Sequence, residues 1–471
     1  RKEYDRFLGI RDLKSVQTKK LSEILRANES CAYLRGHTGR PTGSIQPIQS
    51  ADDFRAAFPL TEYEDYLPYI ERIAAGEKNV LTTEDVLCFQ TTGGSTSASK
   101  LIPYTASLKR EFQNGLRPWL CDLYTNGPGL GAGKAYWSVT PAIHERRRTE
   151  GGVPIGFEDD TAYFGGLFER LSGILLVTPD IPDGAGTDDF YRITAEALLR
   201  CRRLTFLSVW NPTLLTLILE YIETHCGAEK RAFPQLKMIS CWCDATAARY
   251  LPKLRALLPH AEIQPKGLLS TEGFVSVPIL GETGARLAAT SHFFEFLSAA
   301  DGRAHLAHEL TPGEEYEVVL TTSGGLYRYR THDVVLALDR TPRLRFLGRN
   351  GKVSDLFGEK LNERFISAIM ETVESDFCML APETDYYILY IKTETIPLRF
   401  EEELMKNFHY QYCRDLGQLK PLRIFRLTGD PASAYLAAAA ENGQKLGGIK
   451  PPALSLTGGW TRIFEGAFVH I

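Results

Sequence analysis

The stretch from Phe89 to Tyr104 gathers the residue types that bind an anion through the backbone. Thr91, Thr92, Gly93, Gly94, Ser95, Thr96, Ser97, Ala98 and Ser99 are small or hydroxylated, and two adjacent glycines free the chain to curl. Such a curl turns its N–H groups inward as a nest, and the hydroxyls add donors around it. Lys100 closes the run with a mobile point charge, and Leu101-Ile102-Pro103 returns the chain to packed structure. A phosphate suits that concavity, although a Ser/Thr/Gly surface turn that binds nothing has the same composition. It is not a Walker loop: no Gly-Lys pair occurs, and Pro103 lies just beyond the lysine where a helix would have to begin.

Four further stretches carry charges that a phosphate-bearing guest would need. Pro265-Lys266-Gly267-Leu268-Leu269-Ser270-Thr271-Glu272-Gly273 brings a carboxylate, and Tyr329-Arg330-Thr331-His332-Asp333-Val334-Val335 brings another. Gly358-Glu359-Lys360-Leu361-Asn362-Glu363 and Gly447-Gly448-Ile449-Lys450-Pro451 each bring a lysine. By residue type alone Glu272 could equally cap a helix or lie on the surface, Asp333 could end a strand in a turn, and both lysines could be solvated. In this order, together with the hydroxyl-rich loop, the stretches resemble those of the acyl-acid amido synthetases of the Gretchen Hagen auxin-responsive type, a branch of the adenylate-forming enzymes. The resemblance runs over nearly the whole chain. Gly152-Val153-Pro154-Ile155-Gly156-Phe157-Glu158-Asp159-Asp160, Ser208-Val209-Trp210-Asn211-Pro212 and Phe346-Leu347-Gly348-Arg349 look more like the bacterial-type members than the plant hormone enzymes.

The resemblance implies an ATP-dependent ligase that activates a small-molecule carboxylic acid as acyl-AMP and passes the acyl group to an amine or amino acid. Such an enzyme must neutralise two anions that repel each other and then stabilise departing pyrophosphate. On that reading Thr91, Thr92, Gly93, Gly94, Ser95, Thr96 and Lys100 take the phosphates, and Thr271 bonds the α-phosphate. Glu272 holds Mg²⁺, and Asp333 accepts from both ribose hydroxyls, a task for a fixed two-oxygen acceptor. Lys360 and Lys450 reach the adenylate as catalytic lysines, and Arg349 sits at a hinge beside the nucleotide. Three positions depart from the family pattern: Gly94 replaces Thr, Ser97 replaces Gly, and His332 replaces Gly. An acyl-CoA ligase using the same intermediate and a non-catalytic adenylate-binding protein are the competing readings. Trp137, Trp210 and the loop 151–160 are candidates for an acyl pocket, though aromatic residues at strand ends are more often plain core.

These groups need a scaffold, and the hydrophobic pattern supplies one. Helices are expected near 14–28, 52–58 and 107–124, with a strand at 136–139. Residues 189–264 then alternate helix (189–202, 213–224, 246–257) with strand (206–210, 238–242, 262–264), the βαβ rhythm of an α/β sheet with covered faces. From 293 to 330 the pattern changes to strands and turns, with 316–322, Gly324-Gly325 and 326–330 reading as an antiparallel hairpin. Gly348-Arg349-Asn350-Gly351-Lys352 interrupts the apolar pattern, and beyond it come helices near 362–375 and 400–415 and strands at 386–392 and 423–427. The expected fold is α/β: a large N-terminal adenylation domain of mixed sheets and helices, residues 1–348, and a small mobile α+β C-terminal domain, residues 349–471.

Composition narrows the partners. Over 471 residues, 44% hydrophobic and 24% charged residues are those of an ordinary globular protein, and a net charge of -4 offers no basic surplus for nucleic acid. The run Arg146-Arg147-Arg148 reads as a solvated face or a substrate loop. Nine cysteines without paired spacing read as reduced thiols in a cytoplasmic protein, and Cys241-Trp242-Cys243 lacks the second pair that a zinc site requires. No apolar run approaches the ~20 residues of a membrane span, and the first thirty residues are charged rather than signal-like.

Overall fold

The computed structural model describes residues 1–38, 50–91, 100–138, 147–156, 175–182, 187–226, 233–351, 353–442, 444 and 449–469. Among them, alternation of apolar strand and amphipathic helix produces a parallel sheet with the spatial order Leu176–Val177, Lys134–Trp137, Leu204–Ser208, Met238–Cys241, Glu262–Pro265. Leu204–Ser208 and Met238–Cys241 are buried throughout, as strands covered on both faces must be. The register aligns Trp137, Ser208, Ser240 and Gln264, so these four side chains share one face near the carboxyl ends of the strands. Phe206 and Met238, on the same face, pack with Trp119 of the long helix Ala106–Asn126. Tyr136, Leu207 and Ile239 point the other way, into a core shared with the helix Pro212–Cys226.

The hydroxyl-rich loop joins two antiparallel strands, Cys88–Thr91 and Leu101–Tyr104, which pair from Cys88 with Tyr104 to Thr91 with Leu101. Thr92 to Ser99 lie outside the described residues. The helix starts only at Ala106, capped by the Thr105 hydroxyl accepting from the Leu108 N–H at 3.1 Å. Gly115 lies inside that helix because the helix touches the ring of Phe274, where an added Cβ would stand 2.4 Å away.

A second sheet is antiparallel and carries the region that the sequence marks as strands and turns. Its order is Ser276–Pro278, Ala285–Leu287, Arg343–Arg349, Tyr329–Ala337, Glu315–Thr321, Phe293–Ser298, Ala304–Leu306. The expected hairpin forms, but its second strand begins at Tyr329 rather than 326, because the chain first passes Gly325 at φ +100 against Leu81. Beyond residue 349 a third sheet, Phe377–Pro382, Tyr387–Lys392, Arg423–Leu427 and Gly466–Phe468, is backed by helices. The helix expected over 400–415 divides into Phe400–Leu404 and Phe408–Asp415, because the Asn407 side chain accepts from the His409 and Tyr410 N–H groups and starts a new helix. The segment 246–257 likewise opens as a 3₁₀ turn, Ala245–Tyr250, before the α-helix Leu251–Leu257.

N-terminal helices seal the antiparallel sheet through a buried charge cluster. Glu295, 1% exposed, accepts from Arg55 Nε at 2.8 Å and from Arg328 Nε at 2.9 Å, while Arg328 Nη1 donates to the Phe58 carbonyl at 2.7 Å. Removing the acid leaves Arg328 buried without an anion, which is far worse than never burying the pair. Glu295→Ala is expected to lose about 3–5 kcal/mol in urea unfolding, whereas a loss under about 1 kcal/mol, the scale of a surface pair, would show that Arg55 and Phe58 do not depend on this cluster.

Candidate functional site

Thr271 and Glu272 form the tip of a narrow turn. The Ser270 N–H donates to the Gly273 carbonyl at 3.0 Å, and Leu269 and Phe274 bridge behind it. Gly273 is packed so closely that a Cβ would lie 2.8 Å from Leu320 and 3.2 Å from the His292 ring. His292 fixes the turn: its Nε2 accepts from the Phe274 N–H at 3.0 Å, which leaves Nδ1 to donate to Glu111 at 3.0 Å, the tautomer of a neutral ring. Tyr104, at the end of the hairpin that carries the hydroxyl-rich loop, donates to the Thr271 carbonyl at 2.6 Å. Glu272 is therefore buried, 4% exposed, on a clamped backbone, and its carboxylate has no hydrogen bond or ion pair to another side chain among the described residues.

Asp333 meets this turn from the antiparallel sheet. It pairs across strands with Arg349, whose Nε stands 3.9 Å from its carboxylate while the guanidinium also donates to the Thr331 carbonyl at 3.0 Å. A register shift between Val334 and Val335 kinks the strand directly after the aspartate. Burial pushes the Asp333 carboxyl up to about 6; Arg349 works against that rise, Glu272 adds to it, and Lys450 and His332 oppose it. Glu272, Asp333, Arg349 and Lys450 thus act on one another in one place.

Lys450 arrives from the C-terminal segment, exposed, with its Nζ 5.6 Å from the Trp242 ring and 5.9 Å from that of Phe346. The segment is tied at Ile449, whose carbonyl accepts from buried Asn211 at 2.8 Å, and at Ala453 and Ser455, which bond to both sides of Leu380. Lys360 is not brought to this cluster by any contact among the described residues; it is exposed at a left-handed φ of +46. Lys100 rests 4.9 Å over the Tyr63 ring, and the Tyr63 hydroxyl accepts from the Leu101 N–H at 2.7 Å. Thr91 ends its strand, half-buried, where the loop departs.

A residue with no role in the sequence reading lies deeper. Lys266, 7% exposed, donates to Ser208 Oγ at 2.8 Å and faces the rings of Trp119, Trp210 and Trp137 at 4.5, 4.9 and 5.4 Å. Trp137 and Trp210 are the aromatic residues singled out for an acyl pocket. The sequence signal for Lys266 was a lysine placed immediately after a strand of a parallel sheet, where side chains point to the ligand-binding crevice.

Comparison with known families decides the chain's ancestry. Residues 8–229 match the GH3 family N-terminal domain, and residues 285–349 match the GH3 family central domain, together more than half of the chain. The chain belongs to the GH3 family. Its relatives include the putative indole-3-acetic acid-amido synthetase GH3.10 of Oryza sativa subsp. japonica, 24% identical over 83% of this chain and 90% of the relative. Indole-3-acetic acid-amido synthetase GH3.2 of Arabidopsis thaliana is 22% identical over 81% of this chain and 82% of its own length. In structure the chain is similar to the AtGH3.15 acyl acid amido synthetase in complex with 2,4-DB, with a TM-score of 0.79 and 20% identity over 94% of this chain and 92% of that one. It is also similar to a 2-hydroxyisobutyryl-CoA ligase in the postadenylation state, with a TM-score of 0.55 and 13% identity over 88% and 85% of the two chains. These likenesses establish a fold shared with those two enzymes, with mixed sheets and helices in the larger part and an α+β C-terminal part.

The GH3 frame also explains the departure at His332. The backbone there is left-handed, φ +62, a conformation that suits the glycine the resemblance leads one to expect at this position. The imidazole is held by Glu62 at 2.7 Å and Glu317 at 3.4 Å, and its pKa is raised chiefly by the hydrogen bond it donates to Glu317. It is a satisfied local residue beside the aspartate.

Asp333 carries a stability signature. Its pKa is raised in the folded state, so its contribution is fully present below the unfolded carboxyl value of about 4 and is lost as pH rises through about 6. Asp333→Asn is expected to melt above the wild type at pH 8, by the order of 2 kcal/mol, with the difference vanishing near pH 4. Thermal melts across that range check it, and a constant difference at all pH values would contradict the burial of the carboxylate.

Proposed function

We propose that the protein is an ATP-dependent acyl-acid amido synthetase whose active site is the cluster of Glu272, Asp333, Arg349 and Lys450. The observation that carries this reading is that two carboxylates and two cations, from four separate stretches, lie within electrostatic reach of one another around a clamped turn. In the first half-reaction a carboxylate oxygen of the acid attacks the α-phosphorus of ATP and pyrophosphate leaves. In the second an amine or amino acid attacks the acyl carbon, loses a proton, and AMP leaves. Asp333 would take the ribose hydroxyls, Lys450 and Arg349 would offset negative charge, and Thr271 would donate to the α-phosphate. The loop residues Thr92, Gly93, Gly94, Ser95 and Thr96, flanked by Thr91 and Lys100, would hold the leaving phosphates.

Mg²⁺ fits the donors present. The ion is commonly held by one or two carboxylates with substrate phosphates and water, and Glu272 offers a buried carboxylate with no competing side-chain partner among the described residues. Bound there, the ion would supply charge neutralisation on the phosphates. Glu272→Ala is expected to lower acid-dependent ATP–pyrophosphate exchange by ~100-fold or more; exchange at the wild-type rate would withdraw the metal role.

Residues 349–471 are proposed as a mobile domain turning near Arg349. The half-reactions need different surroundings for one adenylate, and the two lysines of this part do not share a place: Lys450 lies at the cluster and Lys360 on the surface. Rotation about a few loop residues would exchange them. Lys450→Ala should therefore slow acyl-AMP formation while sparing amide formation from added acyl-AMP, measured by single-turnover kinetics of both steps. Equal slowing of both, or of neither, would refute the division of labour. Offering coenzyme A in place of the amine separates this reading from an acyl-CoA ligase. All nine cysteines are free thiols, which fits the reducing cytoplasm proposed as its location.

A further inference from the structure

Lys266 is an ammonium group in a setting that needs an anion and has none among the described residues. Three indole rings surround its Nζ, and a single hydroxyl, Ser208 Oγ, accepts from it. The rings offer the negative faces of their π systems, a partial substitute for a counter-ion. Burial pushes its pKa down to about 7, the response of a cation deprived of water. Its neighbours on the same sheet face are also short of partners. Ser240 Oγ and Gln264 Nε2 are buried without a hydrogen bond among the described residues, and both lie in register with Ser208 on adjoining strands. Buried polar groups are nearly always paired, so an unpaired set converging with a lysine marks a place built for a polar guest.

Its position connects the set to the cluster described above. Lys266 lies at the carboxyl edge of the parallel sheet, where open α/β sheets bind their ligands. Trp210, one wall of the cage, is 6.0 Å from Trp242, and Lys450 rests over Trp242. Each of the two lysines therefore lies beside one of a pair of neighbouring indoles. A molecule activated beside Lys450 would run along flat aromatic walls before it met Lys266.

We propose that Lys266 and its tryptophan cage bind a second carboxylate at the far end of the acid that is activated, so that the preferred acyl substrates are dicarboxylic acids with a flat or slender spacer. This rests on the adenylating role proposed for the cluster of Glu272, Asp333, Arg349 and Lys450. The anion would restore the charge that burial disfavours, accept from Lys266, Ser240 and Gln264, and leave the other carboxylate free to attack ATP.

The test is ATP–pyrophosphate exchange with the full chain and a panel of straight-chain dicarboxylates from butanedioate to octanedioate, benzene-1,4-dicarboxylate, and the monomethyl ester of each. The wild type is expected to use at least one diacid with kcat/KM roughly 10-fold or more above its monoester, the scale of one buried charge-assisted hydrogen bond. Lys266→Met puts an apolar chain of similar length into the cage, so its melting temperature should hold or rise. It should abolish the diacid preference while leaving monoester turnover in place, and Lys266→Arg should retain part of the preference. A wild type that favours monoesters throughout, or a preference that survives in Lys266→Met, overturns the inference and leaves the adenylating role standing. If the Met variant fails to fold, the wild-type comparison decides alone. Absence of exchange with every acid removes the adenylating role itself, and this inference with it.

Discussion

Two carboxylates, Glu272 and Asp333, are buried near enough that the charge of Glu272 adds to the raised proton affinity of Asp333, and the arrangement around them follows from that constraint. A like charge at close range disfavours ionisation, and a cation nearby opposes that effect. The chain supplies Arg349 from the adjoining strand and Lys450 from a segment over a hundred residues away in sequence. Neither carboxylate could be held in place by loosely packed backbone, and neither is. Glu272 is gripped through Phe274, His292 and Glu111, and Asp333 by the Thr331 hydroxyl, which accepts from its N–H at 3.1 Å. This is stability given up at a site that a ligand would complete.

The supports are themselves shared between layers. Glu111 and Gly115 lie on the long helix that packs on the parallel sheet, His292 precedes a strand of the antiparallel sheet, and Tyr104 ends the hairpin of the hydroxyl-rich loop. One turn is thus where three units of the fold meet. The C-terminal sheet joins through a continuous apolar core with the helices of the parallel sheet, and Arg249 reinforces it by donating to the Cys378 carbonyl at 3.4 Å and to Ser375 Oγ at 2.8 Å. That core holds Lys450 at the cluster in this arrangement. Any rotation of the C-terminal part must first separate it, so the exchange of Lys450 for Lys360 would have a definite barrier rather than free diffusion of a tethered domain.

The parallel sheet contributes on its other edge. Its side against the helix Ala106–Asn126 is apolar near the amino ends, with Phe206 and Met238, and polar near the carboxyl ends, with Ser208, Ser240, Gln264 and Lys266. A sheet that only had to pack would continue the apolar pattern. The change of character along one face places the polar groups beside Trp210 and Trp242, toward Lys450.

The amino-acid sequence by itself determined the alternation of strand and helix over 189–264, the hairpin near 316–330 and the motifs of the GH3 family, because these are local patterns of period, turn chemistry and residue order. It named Glu272, Asp333, Arg349 and Lys450 separately. That they share one charge balance, and that Lys360 does not join it, was decided only by tertiary structure, since electrostatic proximity depends on how the sheets stack. The same holds for Asn407, whose side chain can cap a helix only if the chain bends to let it. Lys266 shows the limit most plainly: Trp119, Trp137 and the Ser208-Val209-Trp210 stretch come from three places in the chain, and only the packing of the helix Ala106–Asn126 on the parallel strands makes them a cage. A lysine's neighbours along the sequence say nothing of whether its ammonium will reach water, and here the folded sheet keeps it from doing so.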